Sequence, residues 1–147
     1  MTIFIEGSLS MANNIFLDTA FTIALISPKD VFHNKALELS KHISASDSRL
    51  TTTRAVLVEI GNALSKENLR TSAVELLDSL EADKTITIVP LSEELYKEAY
   101  KLYRSRTDKE WGLTDCVSFV VMKKFGITEV LTTDHHFRQA GFNPLMR

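Results

Sequence analysis

Four carboxylates stand where a folding chain has reason to exclude them. Asp18 closes the apolar run Ile15-Phe16-Leu17, Glu59 interrupts Ala55-Val56-Leu57-Val58 ahead of Ile60, Asp115 opens Cys116-Val117-Ser118-Phe119-Val120-Val121, and Asp134 ends Val130-Leu131-Thr132-Thr133. Acids are seldom buried without a partner. If folding gathers them, each pair at about 5 Å and an effective dielectric of about 20 repels by about 3 kcal/mol, and a divalent cation reverses that repulsion. An all-oxygen donor set selects a hard cation, Mg2+ or Mn2+, over zinc. Such an ion lowers the pKa of a bound water and neutralises a phosphodiester during in-line attack.

Each acid also has a simpler explanation. Asp18 is placed to cap a helix beginning near Thr19-Ala20-Phe21, and Asp134 to cap the short segment His135 to Ala140, since Asp is a strong N-cap residue. Asp115 falls in the first turn of a helix from Leu113 to Phe125, where the helix dipole favours an anion. Glu59 resists this treatment: on a helical wheel it borders the stripe Val56, Ile60, Ala63, so it needs a partner on a half-buried face. Asn62, three residues on, is spaced to hold it by a hydrogen bond. Thr19, Thr114 and Thr133 accompany three of the acids and are candidates to orient ligands or water, although threonine is also frequent at caps and strand ends. His135 and His136 follow Asp134 and could meet phosphate or metal, or stand exposed in a turn. The lone cysteine, Cys116, reads as a small buried apolar residue.

The elements that must position these residues alternate. Short apolar segments predict strands at Ile15 to Leu17, Arg49 to Thr52, Thr85 to Val89 and Glu129 to Thr132, with a last one near Asn143 to Met146. Helical spacing of apolar residues predicts helices over Val31 to Ser46, Arg54 to Leu64, Thr71 to Glu81 and Glu93 to Tyr103, the last capped by Ser92. Strand–helix alternation implies a parallel sheet covered on both faces, because each parallel crossover needs a helix to return the chain. Asp18 and Asp134 fall at the carboxyl ends of strands, the edge where open α/β sheets bind ligands.

At 147 residues and 44% hydrophobic content, the chain suffices for one core, and no repeat or linker divides it. Residues 1–13 stand apart as an extension or an extra strand from Ile3 to Ile5, with Met11 an alternative start, and residues 14–147 form the expected domain. A single cysteine excludes an intrachain disulfide and a cysteine-rich zinc site. With no long apolar stretch or basic leader, a cytoplasmic protein without membrane contact is expected. The net charge of −2 argues against a strongly basic nucleic-acid binder. Setting aside the four acids as metal-neutralised leaves 17 basic against 19 − 4 = 15 acidic residues, which weakens that objection.

As a set, the spacing resembles a family. Asn14-Ile15-Phe16-Leu17-Asp18-Thr19, Thr51-Thr52-Thr53-Arg54 leading to Glu59-Ile60-Gly61-Asn62-Ala63-Leu64, Leu113-Thr114-Asp115-Cys116-Val117, and Leu131-Thr132-Thr133-Asp134-His135-His136-Phe137 are similar to PIN-domain nucleases. The nearest subgroup is the VapC-like toxins of bacterial toxin–antitoxin pairs, with stand-alone relatives that share the motif. The resemblance covers Ile15 to Phe142 and implies a three-layer α/β/α sandwich with a parallel sheet of about five strands. It also implies Mg2+ or Mn2+ held by acids, hydrolysis of RNA phosphodiesters, a homodimer, and a small antitoxin that inserts near the acids. The matching positions are Asp18, Glu59, Asp115 and Asp134. Asp18, Asp115 and Glu59 would be the main metal ligands, with Asp134 holding a second ion or orienting water. Arg54, Lys109, Lys123, Lys124, His135 and Arg138 are candidates to meet substrate phosphates.

Two other readings place acids at strand ends. A phosphatase of the haloacid dehalogenase type would want a second Asp where Ala20 stands, and a receiver domain would want its acceptor Asp on a central strand and a late lysine. A non-catalytic module would use the acids as caps around a structural ion.

Overall fold

The computed structural model describes residues 14–147; the expected extension or strand at residues 1–13 lies outside them. The described elements are β1 (Asn14–Leu17), α1 (Thr19–Ile26), α2 (His33–Ala45), β2 (Arg49–Thr53), α3 (Arg54–Ala63), α4 (Glu67–Ala82), β3 (Ile86–Val89), α5 (Glu93–Ser105), α6 (Leu113–Phe125), β4 (Glu129–Leu131), α7 (His135–Gln139) and β5 (Asn143–Pro144). The five strands form one sheet in the order β3-β2-β1-β4-β5, every neighbouring pair parallel. Helices cover both faces, making the α/β/α sandwich. No helix among the described residues is long and apolar enough to cross a membrane.

The topology fixes where a site can lie. From β1 the chain steps outward to β2 and then β3, and the α5–α6 pair carries it back across to β4 on the other side of β1. Strand order therefore reverses between β1 and β4, which opens a crevice at their carboxyl ends. The register there is Phe16 opposite Val130 and Leu17 opposite Leu131. The next residues out, Asp18 and Thr132, must meet.

β2 is unusual in burying three hydroxyls, and each is satisfied. Thr51 Oγ1 donates to Asn14 Oδ1 at 2.9 Å, Thr52 Oγ1 donates to the Leu17 carbonyl at 2.8 Å, and Thr53 Oγ1 caps α3 by accepting from the Val56 amide at 3.1 Å. Buried hydroxyls without partners would each cost about 1–3 kcal/mol. Here they tie β2 to the two ends of β1 and start the helix that carries Glu59. Ser92 starts α5 as expected, accepting from the Leu95 amide at 3.0 Å.

Several boundaries differ from the sequence expectation for local reasons. α4 begins at Glu67 rather than Thr71: Leu69 extends the inward stripe of Ala73, Leu76 and Leu80 by one turn, and Arg70 secures that turn through Nη2 to the Ser65 carbonyl at 2.8 Å. β4 ends at Leu131, one residue early, because the Thr132 hydroxyl turns into the crevice. β5 pairs over only Asn143 and Pro144, proline being confined to edge strands by its missing N–H. α6 stops at Gly126, which adopts φ 67° and lets the Ile127 amide reach the Met122 carbonyl at 2.8 Å. That left-handed turn suits glycine.

The core beneath the crevice includes Phe16, Leu17, Val56, Ile60, Met122 and Phe137, each under 2% exposed. Phe137 is the anchor of α7: its ring meets Phe119 of α6 edge-on at 5.0 Å, and Phe119 meets Trp111 in the same way at 5.0 Å. Truncating Phe137 to alanine removes this anchor and leaves a cavity, an expected loss of about 3–5 kcal/mol. Urea unfolding monitored by circular dichroism should show a midpoint lowered accordingly with an unchanged slope; a loss under about 1 kcal/mol would mean that α7 is not held from below.

Candidate active site

Asp18 is 4% exposed, and capping does not explain why. It occupies the N-cap of α1, yet its carboxylate does not make the capping bond to the second or third amide of the helix. Instead Oδ2 accepts from Thr132 Oγ1 at 2.8 Å, while the Asp18 amide donates to the Leu131 carbonyl at 3.3 Å. Burial pushes the carboxyl up to about 7, against the opposing pull of the Thr132 hydroxyl and the Thr19 amide, and the nearby charges of Asp115 and Glu59 push it further in the same direction. A raised acid at the switch point of a parallel sheet is a candidate functional residue.

Glu59 is delivered by α3 and held from α1: Thr19 Oγ1 donates to Glu59 Oε1 at 2.5 Å. Asn62 is exposed, and the hydrogen bond expected from its amide is supplied by the Thr19 hydroxyl on the neighbouring helix. Helical spacing identified the face correctly; the element that crosses it is a tertiary matter.

Asp115 is the third residue of α6, and its Oδ2 accepts from the Gly112 amide at 3.1 Å, half of a capping box. The same oxygen lies 3.2 Å from His136 Nδ1. Burial raises its pKa; the Gly112 amide lowers it, Asp134 raises it, and His136 lowers it. Asp134 does cap α7, Oδ1 accepting from the His136 amide at 2.8 Å. His136 Nδ1 is also 3.3 Å and His135 Nδ1 3.8 Å from that oxygen.

Thr132 was the residue missed. Besides donating to Asp18, its hydroxyl accepts from the Asp134 amide at 3.0 Å, so one fully buried oxygen joins two of the acids. The backbone carbonyls of the two expected threonines are also engaged, Thr133 accepting from Arg147 Nε at 2.6 Å and Thr114 from Ser118 Oγ at 3.1 Å. The signal for Thr132 was the parallel register of β1 and β4, which sequence pattern does not disclose.

The four acids thus form a connected series: Glu59 to Thr19, Thr19 to Asp18 through its amide, Asp18 to Thr132 to Asp134, and Asp134 to His136 to Asp115. They are not drawn into one tight knot. Among the described residues, the group of ligating side chains whose atoms all lie within 4.8 Å of one another is Asp134, His135 and His136. A hard cation fits this layout. Carboxylates dominate the donors, Asp18 is a buried acid in the field of two others, and Mg2+ keeps several of its waters and so accepts acids spaced to bind partly through them. Cys116 is fully buried with its thiol pushed up to about 11, which leaves it unreactive.

The candidate phosphate contacts divide by position. Arg54 is ion-paired with Glu81, and Lys124 with Glu98 at 2.5 Å. Lys123 and Lys124 close α6, roughly 12–14 Å along the axis from Asp115. Lys109 lies three residues before Gly112, while His135 and Arg138 are exposed on α7. Arg147, bonded to the Thr133 carbonyl, brings a further cation beside Asp134.

Comparison with known proteins agrees with this architecture. The family model described as PIN domain matches residues 15–143. The "23S rRNA-specific endonuclease VapC20" of Mycobacterium tuberculosis, in two strains, is 28% identical over 129 residues, which is 87% of this chain and 95% of that protein. The crystal structure of that VapC20, described as a sarcin-ricin loop cleaving toxin, superposes with a TM-score of 0.78 at 26% identity, covering 87% of this chain and 95% of the other. FitAcB from Neisseria gonorrhoeae shares the fold, with a TM-score of 0.61 at 17% identity over 88% and 95% of the two chains.

The raised pKa of Asp18 has a stability consequence. Between its ordinary value of 3.8 and about 7, the folded state holds a proton that the unfolded chain has released. The Asp18 contribution is therefore fully present below pH 4 and is lost as pH rises through 7, by about 4 kcal/mol at most. With divalent cations chelated, Asp18→Asn should match the wild type near pH 4 and become several degrees more heat-stable by pH 8 in calorimetry. A variant equally or less stable at pH 8 would show that Asp18 is not a buried, disfavoured anion.

Proposed function

The chain belongs to the PIN domain family, and from that premise we propose that it is a divalent-metal-dependent endoribonuclease, the toxin of a toxin–antitoxin pair. The observation that carries the proposal is the placement of Asp18: nearly buried, at the reversal of strand order, with its pKa raised partly by Asp115 and Glu59. A cap or an ordinary surface acid would need neither the burial nor the neighbours.

Asp18, Asp115 and Glu59 are the residues that would hold Mg2+ or Mn2+, with Asp134 taking a second ion or orienting water. A hard cation bound there supplies charge neutralisation at the scissile phosphate and acidifies the attacking water. The chain's own groups prepare that chemistry. Thr19 turns the Glu59 carboxylate toward the crevice, Thr132 holds Asp18 and the backbone of Asp134 in fixed relation, and the Gly112 amide and His136 fix Asp115. With these groups tied to strand ends and helix starts, little reorganisation remains when substrate arrives.

VapC20 supports RNA as the substrate, and its printed specificity makes a 23S rRNA fragment containing the sarcin-ricin loop the first RNA to try. The description of VapC20 as a toxin supports a small antitoxin partner for this chain, and a homodimer belongs to the same proposal.

Asp18→Asn and Asp115→Asn should each lower Mn2+-dependent cleavage of that fragment by about 100-fold or more, since several kcal/mol of charge stabilisation are at stake. Thr132→Val, which keeps the carboxylates but frees them, should cost about 10–100-fold. EDTA should stop cleavage in all cases. Gel analysis of end-labelled RNA reads each outcome, and an Asp18→Asn enzyme with full activity would sink the proposal.

A further inference from the structure

Three tyrosines on α5 are unaccounted for by the fold. Tyr96, Tyr100 and Tyr103 are 44%, 43% and 46% exposed, and they stack on one another: successive centroids are 6.3 Å apart, with interplanar angles of 11° and 26°. Each sits one position after a residue of the inward face, Leu95, Ala99 and Leu102. The ladder therefore flanks the buried stripe on the side away from α6, which contacts α5 through Glu98.

The ladder does not end on α5. Arg104 lies 5.7 Å over the Tyr100 ring, and Arg106 lies 5.1 Å over the ring of Trp111. Tyr103, Arg106, Lys109, Trp111 and Gly112 together line one cavity of about 450 Å3. Gly112 is the residue whose amide holds Asp115. The exposed rings thus end at Tyr103, at a cavity whose wall includes the buried Trp111 and, through Gly112, borders the candidate active site. The charge changes along the way. The start of α5 is acidic, with Glu93 and Glu94, whereas from Lys101 to Gly112 four cations face two acids, Asp108 and Glu110, in a chain of net charge −2. Asp108 is engaged by Arg106.

We infer that this surface is a binding track for single-stranded RNA, in which bases stack on Tyr96, Tyr100 and Tyr103 while Arg104 and Lys109 contact the phosphates leading to the scissile bond. The inference rests on the nuclease reading. Half-exposed aromatic rings interleaved with cations are a surface that single strands recognise, because every base has a face to stack and every nucleotide a charge. Phosphate contacts alone would not require three stacked rings. An apolar protein partner would gain nothing from the four cations at the end nearest the acids.

The full chain carrying Asp18→Asn, without divalent cations, provides a non-cleaving background. Fluorescence anisotropy with a fluorescein-labelled single-stranded RNA of about 12 nucleotides compares it with Tyr96→Ala/Tyr100→Ala/Tyr103→Ala and with the matching triple Phe variant. The Ala triple should bind about tenfold or more weakly with the same salt slope, and the Phe triple should bind as the background does. Lys109→Ala should lower the salt slope by about one. Equal affinity for the Ala triple and the background would overturn the track. So would a loss of affinity that accompanies conversion of a dimer to a monomer in light scattering, which would assign the ladder to a second copy of the chain. In the Asp18 wild type with Mn2+, failure to cut any RNA defeats the nuclease reading; cutting that is unaffected by the Ala triple, with equal binding, defeats the track alone.

Discussion

A carboxylate taken out of water loses several kcal/mol of hydration, and Asp18 recovers only part of that from one hydroxyl and one amide. What is left unrecovered, together with the repulsion of Asp115 and Glu59, holds its carboxyl up at about 7. The parallel pairing of β1 with β4 enforces this position: with Leu17 opposite Leu131, the chain cannot carry Asp18 to solvent without unzipping its central strand. Everything that surrounds the crevice follows from tolerating that acid. The buried hydroxyls of Thr132 and Thr19, the capping amide of Gly112 and the imidazole of His136 all serve carboxylates there.

The remaining elements hold that edge rigid. Thr52 bonds the Leu17 carbonyl, immediately before Asp18, and Thr53 starts the helix that brings Glu59. Phe137 pins α7 from beneath, so the Asp134 cap sits on a packed element rather than on a free loop. Sites built on strand ends and helix starts are positioned more accurately than sites on loops. The last ring of the α5 ladder, Tyr103, lines the same cavity as Gly112, whose amide holds Asp115.

The acids were legible in the chain because each is a charged atom inside an apolar run. So was the alternation that builds a parallel sheet: α6 was read at the residues where it occurs, β1 one residue short at its start, and the other elements within a few residues, α4 excepted. Thr132 was not legible, because its partner Asp18 lies 114 residues away and only the strand register joins them. Thr19 rather than Asn62 as the support of Glu59 is the same kind of fact: a helical wheel names a face, not the helix that crosses it. The lysines at the end of α6 looked like phosphate ligands until Glu98, 26 residues away, took one of them. Local pattern locates charge and periodicity; long-range pairing decides who answers it.

The central claim is that Asp18, Glu59 and Asp115 surround a hard-cation site at the reversal of strand order. The most direct test is a crystal of the full chain soaked in Mn2+, read by anomalous difference density. The account predicts a peak at coordination distance from Asp18, with Glu59 and Asp115 on its other sides directly or through water. Density found only between Asp134, His135 and His136, or none in the crevice with Mn2+ present, would contradict it.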